Sequence, residues 1–508
     1  MPVATRGGLV GAVLLTAVTA CLSDPSGPFG HHLELGVSAL SFEALGDTVR
    51  LAASEIGPHG TALSTPKATY VSLSPGVATV DSAGLVTSQG NGVTWITARV
   101  PNGDVDSVRV TVSQVPDTIL ASLDDTLSIV SIPYDAAISV HCEMRDRNGH
   151  PIPVAPAVAA SAEGRWAGSS CDGIRARRSG VDTLVIQHGA LATRLPVTIA
   201  VRPSVSTPLG TFLTVDSLPS GLRPWAPTLL RNASGALELY FTGYVPDSAH
   251  PGEFRGHLHR LISEDGQTFH YDGVALAHDD SLCTLNGSGI ENVTIVPRAE
   301  GAGWRMFYSS GSFGCYGWQV FSAISTDRRI WTKEPGVRLS NGGSIPPDMP
   351  VTPPWPVGEG IVVEPLPIGG WRMLVGGYRH IQDYEDKFHI VEWRSTDQLT
   401  WTYVGPVFTT DDLPAAGQRS VYSPTVREFA PGLWRMIMTA DNLRDPDGRS
   451  RIWSAVSTDE VHWQLEGELM GAVGTNLYYS SLVDDLLVFV RLDAGLPRRL
   501  ASVRVDMP

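Results

Sequence analysis

Across residues 32–113 apolar and polar positions alternate, and turn-forming residues break the alternation every eight to twelve positions. A period of two sends successive side chains to opposite faces of a strand, so this stretch predicts a β-sandwich. Its clearest strands lie in residues 77–87 (VATVDSAGLVT) and 92–98 (GVTWITA). Gly84 falls in the turn between two of them, where a positive φ carries no Cβ penalty. Residues 116–203 show the pattern again: Asp146-Arg147-Asn148-Gly149 reads as a turn, and residues 180–186 (GVDTLVI) as a strand introduced by glycine.

From residue 204 the pattern itself recurs. Ser-x-Asp followed by a bulky aromatic appears at Ser263/Asp265/Phe269, Ser325/Asp327/Trp331, Ser395/Asp397/Trp401 and Ser457/Asp459/Trp463, spaced 62, 70 and 62 residues apart. Trp-Arg-Met precedes the later three, beginning at Trp304, Trp371 and Trp434. Repeats of this length made of short strands predict propeller blades. Four blades start near Trp225, Ile290, Val362 and Tyr422, and a fifth at Tyr478. The fifth is short of strands, which residues 209–215 can supply to close the ring. Ser and Asp side chains bond turn backbone and the aromatic packs between blades, so the motif is structural, not catalytic.

At 508 residues the chain exceeds one core, and 52 Gly with 37 Pro suit a turn-rich all-β protein. The formal charge of −15 offers no basic patch for a phosphate backbone, which excludes a nucleic-acid partner and electrostatic docking on an anionic membrane. No GxSxG, HExxH or P-loop occurs, and no cysteine pair has zinc spacing. No cofactor is expected; Asp383, Glu385 and Asp386 carry oxygen ligands of the kind calcium takes, but read first as a solvated charge run. A Pro-rich loop over residues 344–357 is long enough to form a wall or lid.

A propeller presents ligands to residues at the start of each blade's innermost strand. Those candidates are Arg223, Trp225 and Ala226; Glu291 and Asn292; Glu364; Tyr422 and Ser423; and Tyr478 with Tyr479. Aromatic faces stack on sugar rings while carboxylates and Arg bond hydroxyls, so a poly- or oligosaccharide is the expected ligand. Arg379 follows a strand and is a further binding candidate; with Arg223 and Arg419 it makes a trio able in principle to hold a carboxylate. Each glutamate can serve as a proton-transfer group or simply bond a ligand.

Three resemblances extend this reading. Val18-Thr19-Ala20-Cys21, after the apolar residues 9–18, resembles the lipobox of bacterial lipoproteins, which implies export and acylation at Cys21. With Cys21 so used, the remaining cysteines form two even pairs, Cys142 with Cys171 and Cys283 with Cys315, expected as disulfides in an exported protein. Residues 77–98 resemble the group 2 bacterial Ig-like domain, a spacer or adhesion module, with a weaker likeness over 116–203. Residues 204–508 resemble the five-bladed superfamily of arabinanases, xylosidases, fructosidases and levansucrase, through Ser-x-Asp-Gly-x-x-Phe/Trp and blade starts such as Ala226-Pro227 and Val363-Glu364-Pro365.

That resemblance implies a base or nucleophile Asp on the first blade, a pKa-tuning Asp on the second and a general-acid Glu on the third. By position Glu364 matches the acid and Glu291 or Asn292 the second group, but Ala226 stands where the first Asp belongs. The expected fold is therefore all-β, two Ig-like β-sandwiches followed by a five-bladed β-propeller. The expected division is 1–21 signal peptide, 22–31 tether, 32–115 and 116–203 sandwiches, and 204–508 propeller. Two functions remain open: a surface glycosidase relative, and a non-catalytic carbohydrate-binding or adhesion protein.

Overall fold

The computed structural model describes residues 30–123, 128–246, 254–278, 289–312, 317–339, 357–379, 387–414, 420–441 and 450–508. The regular structure of these segments is almost wholly strand, and they form two compact units. One comprises Met1–Thr126, Ala137–Arg175 and Thr183–Val197; the other Leu127–Ala136, Ala176–Asp182 and Thr198–Pro508.

In the first unit the alternation becomes packing. Along Gly92–Arg99 the residues Thr94, Ile96 and Ala98 are buried while their neighbours face outward. Ile96 and Ala98 meet Val108, Val110, Leu40, Phe42, Ala78 and Val86 in one core. Val105–Val112 is central, antiparallel to Gly92–Arg99 and parallel to Ala39–Phe42. Gly84 adopts φ +77°, and a Cβ there would lie 2.8 Å from the Leu51 carbonyl oxygen, so both conformation and space demand glycine.

Thr118–Leu123 pairs antiparallel with Val140–Arg145, and Cys142 is disulfide-bonded to Cys171. The turn at Asp146 also anchors. Its buried carboxylate accepts from the Asn148 and His150 amides of its own turn, from the Leu45 amide and from Gln114 Nε2. Burial raises this carboxyl's pKa, but the hydrogen bonds outweigh it and hold the group below its ordinary value.

The second unit holds five blades. Each has an innermost strand followed by antiparallel neighbours in sequence order. The innermost strands are Arg223–Arg231, Glu291–Pro297, Val357–Pro365, Ser420–Ala430 and Thr475–Val483. The fifth blade takes its outer edge from residues just ahead of the first blade. Ser204–Val205 and Thr211–Phe212 both pair antiparallel with the last strand, Arg499–Asp506. Thr214–Asp216 then crosses to the outer edge of the first blade, pairing parallel with Thr268–Leu276.

The repeated motifs hold this ring together. In each Ser-x-Asp turn the serine Oγ donates to the aspartate Oδ1, which accepts amides two and three residues on. The residue after each Asp (Gly266, Arg328, Gln398, Glu460) has φ between 60° and 70°. In the last three the side chain reaches the preceding blade: Arg328 bonds Glu238 at 3.1 Å, Gln398 accepts from Arg305 at 2.8 Å, and Glu460 pairs with Arg372. The motif aromatics fill the same seams, as where Trp401 meets Phe307 edge-on with centroids 5.6 Å apart.

Candidate functional site

All five innermost strands begin with a bulge. Pairing with the next strand skips between Trp225 and Thr228, Glu291 and Thr294, Val357 and Ile361, Tyr422 and Thr425, and Tyr478 and Ser481. At each skip one residue takes a left-handed conformation: Ala226 (φ 41°), Asn292 (53°), Gly360 (72°), Ser423 (51°) and Tyr479 (49°). A bulge re-aims side chains, and here it turns five equivalent positions toward the axis. Four are not glycine, at a cost of about 1–2 kcal/mol each that the ring must offset.

These residues line an axial cavity of about 210 Å³ with Thr228, Thr294, Val362, Thr425 and Ser481 two positions below. Four of that lower ring are hydroxyls that cross seams. Thr228 donates to the Val293 carbonyl, Thr294 accepts from the Val363 amide, Thr425 donates to the Ser480 carbonyl and Ser481 accepts from the Leu229 amide. Val362 has no hydroxyl for the seam between blades three and four. There the backbones approach instead: a Cβ on Gly360 would lie 2.3 Å from the Ser423 nitrogen.

One side of the mouth is an aromatic wall. Trp225 packs against Tyr478 (5.0 Å between centroids) and Tyr479 (4.6 Å), and Tyr479 against Tyr422 (5.3 Å). Tyr422 and Tyr479 are buried; Trp225 and Tyr478 are half-exposed. Burial raises the Tyr478 phenol's pKa, with a hydrogen bond to Ser450 and the charge of Arg498 opposing and that of Asp441 adding. The Arg498 guanidinium lies 3.9 Å from the Trp225 ring centroid. Arg223, exposed on the same face of its strand, stacks on Phe254 at 4.5 Å.

Two buried carboxylates flank the mouth, and a tyrosine holds each. Tyr244 donates to Glu291, and Tyr422 donates to Asp441 at 3.0 Å. Asn292 is buried and donates to Ser309. Blade one places only the Ala226 methyl at its axial position. Nearby on that blade His257 stacks on His278, and burial, then the charge of His257, pushes His259 down to about 4, leaving it neutral.

The structure thus brings together Trp225, Glu291, Asn292, Tyr422 and Tyr478, with Arg223 at the rim. It removes Glu364 from this group. Gly360 is the third blade's axial residue, and Glu364 lies four residues further along the strand, about 13 Å away at strand rise. Its carboxylate is ion-paired with Arg372, the arginine of Trp-Arg-Met, which also binds Glu460. Burial raises the Glu364 pKa against the charge and hydrogen bond of Arg372. The register gives the position equivalent to Glu291 to Glu359, which the sequence reading passed over for Val363-Glu364-Pro365; its sign was a glutamate directly before a glycine. Asp441 and Arg498 were also passed over, for they lie on a second strand and a hairpin, not at a blade start.

Arg379 ends the third blade's second strand, opposite Lys387; its side chain lies outside the described residues. So do Cys21, Cys283, Cys315, the Asp383–Asp386 cluster, the loop over residues 344–356 and Arg419.

No protein-family model matches the chain, and no curated protein does. Solved structures similar to it include one described as a glycoside hydrolase, at 14% identity over 60% of this chain and 93% of that one, with a TM-score of 0.47. An α-L-arabinanase of Penicillium chrysogenum complexed with arabinobiose shows 16% identity over 58% and 98%, with a TM-score of 0.41. An endo-arabinase from Bacteroides thetaiotaomicron shows 13% over 59% and 98%, with a TM-score of 0.40.

Proposed function

We propose that the second unit is a glycan-binding propeller whose axial mouth receives a sugar against the Trp225–Tyr478 wall, without hydrolysing it. The observation that carries this is the pairing of a contiguous aromatic wall with a methyl at the first blade's axial position. Hydrolysis of a glycosidic bond needs two carboxyl groups about 5–5.5 or 6.5–9.5 Å apart across it. Among the described residues blade one places none at its axial position, and Glu291 and Asp441 are each bonded by a phenol. A ring stacked on Trp225 gains apolar contact while the tyrosine hydroxyls and Asn292 meet its hydroxyls.

Calorimetry of the protein against a panel of plant and bacterial polysaccharides tests this. Binding of at least one, weakened about tenfold by Trp225→Ala and unaccompanied by sugar release, is expected, tenfold being about 1.4 kcal/mol. No binding anywhere in the panel overturns it. The alternative, hydrolysis by neighbouring glutamates, has one observation in its favour: the register aligns Glu359 with Glu291 on adjacent blades. Sugar release lost in both Glu359→Gln and Glu291→Gln would establish it.

We propose further that the chain is exported and held by lipid at Cys21, with the sandwiches as spacers. The Cys142–Cys171 disulfide supports an oxidising compartment. Membrane-fraction retention lost in Cys21→Ser is the expected result; retention unchanged would refute the anchor.

A further inference from the structure

Charge at the mouth is divided in a way that neutral-sugar binding does not require. Both carboxylates are hydrogen-bonded by phenols, Glu291 by Tyr244 and Asp441 by Tyr422, and both are buried, at 3% and 7% exposure. The cations are placed differently. Among the described residues neither Arg498 nor Arg223 forms an ion pair or hydrogen bond; each lies over an aromatic ring instead, Trp225 and Phe254 respectively.

A guanidinium that meets an aromatic ring and no acceptor keeps its N–H donors for a ligand, and two of them can receive a carboxylate in parallel hydrogen bonds. It also occupies the ring face a neutral pyranose would use. A neutral ligand must displace Arg498 from Trp225, whereas an anionic one is met by it where it stands. The chain's charge of −15 would repel a polyanion at long range. That field is screened within about 8 Å at physiological salt, so two local cations can decide selectivity.

We infer that the mouth selects a sugar bearing a carboxylate, such as a uronate residue of an acidic polysaccharide, with Arg498 on Trp225 as its receptor and Arg223 in support. This rests on the glycan-binding reading above and sharpens it. The test compares polygalacturonate, alginate and hyaluronan with their carboxyl-reduced forms, which keep the ring and lose the charge. Calorimetry should show at least one acidic polymer bound, with affinity falling tenfold or more on carboxyl reduction and falling also as salt rises.

Arg498→Gln should lose that tenfold for the acidic polymer and leave the reduced one unchanged or better bound, since the Trp225 face is uncovered. Arg498→Lys should recover part of it, and thermal melts should show both variants folded. Equal affinity for acidic and reduced polymers, or equal weakening of both by Arg498→Gln, overturns the inference while glycan binding stands. Failure to bind any acidic or neutral polymer overturns glycan binding itself.

Discussion

The two ends of the innermost strands use the same residue types for different ends. At the axial mouth Glu291 and Asp441 are bonded by tyrosine hydroxyls beside a solvent-accessible cavity. At the far end Glu364 and Glu460 meet in the guanidinium of Arg372, joining blade three to blade four. A phenol leaves the carboxylate its charge and spare lone pairs; a buried guanidinium uses both for structure. What a carboxylate does in this ring is set by its partner more than by its strand.

Six substitutions probe that contrast. The largest effect is expected from Gly360→Ala, where the new Cβ would meet the Ser423 backbone at a φ of +72°. Backbone cannot yield as a side chain end does, so a loss of roughly 4 kcal/mol in denaturant unfolding is expected. A loss under 1 kcal/mol would show that the mouth is looser than this contact implies. Arg372→Ala comes next. It strands two carboxylates that keep some water contact, for about 3 kcal/mol, near the lower end for broken buried pairs. If the far end is purely structural, glycan affinity will not change with it.

Thr425→Val removes one seam hydroxyl and should cost about 1 kcal/mol, whereas Val362→Thr at the seam already closed by backbone contact should lie within about 0.5 kcal/mol of the parent. Equal effects would mean the hydroxyl ring does not work seam by seam. The smallest effect is on pH dependence. Backbone amides, Thr400 first, hold Asp397 at about 2 against its burial. The unfolded chain therefore binds more protons over that window, and stability is lost as pH falls from about 4 toward 2. Glu364 has the opposite sign: its folded pKa is raised, so stability falls as pH rises through the carboxylate range. Unfolding titrations of Asp397→Asn and Glu364→Gln should each flatten one of these limbs; a limb unchanged would assign it elsewhere.

The repeats made the ring legible because a Ser-x-Asp turn needs those two side chains at that spacing, and nothing distant can substitute. Trp225, Glu291, Tyr422 and Tyr478 were legible for the same reason, each directly preceding its bulge. The third blade was misread because a bulge shifts the phase of the strand, and Val363-Glu364-Pro365 imitates a blade start four residues late. The arginine of Trp-Arg-Met was visible, but that it would claim Glu364 depends on pairing across the hairpin, Glu364 opposite Arg372. Arg498 was illegible: a hairpin arginine acquires meaning only when the fold lays it on Trp225.

The fifth blade has a consequence for biosynthesis. Its last strand, Arg499–Asp506, pairs with residues 204–205 and 211–212, made almost three hundred residues earlier. Those early residues wait without their partner while four blades are synthesised, and only the arrival of Arg499–Asp506 lets the circle close. Contacts so distant in sequence are slow to form. A nascent or truncated chain therefore presents an open blade edge, the kind of surface that chaperones cover and quality-control proteases cut.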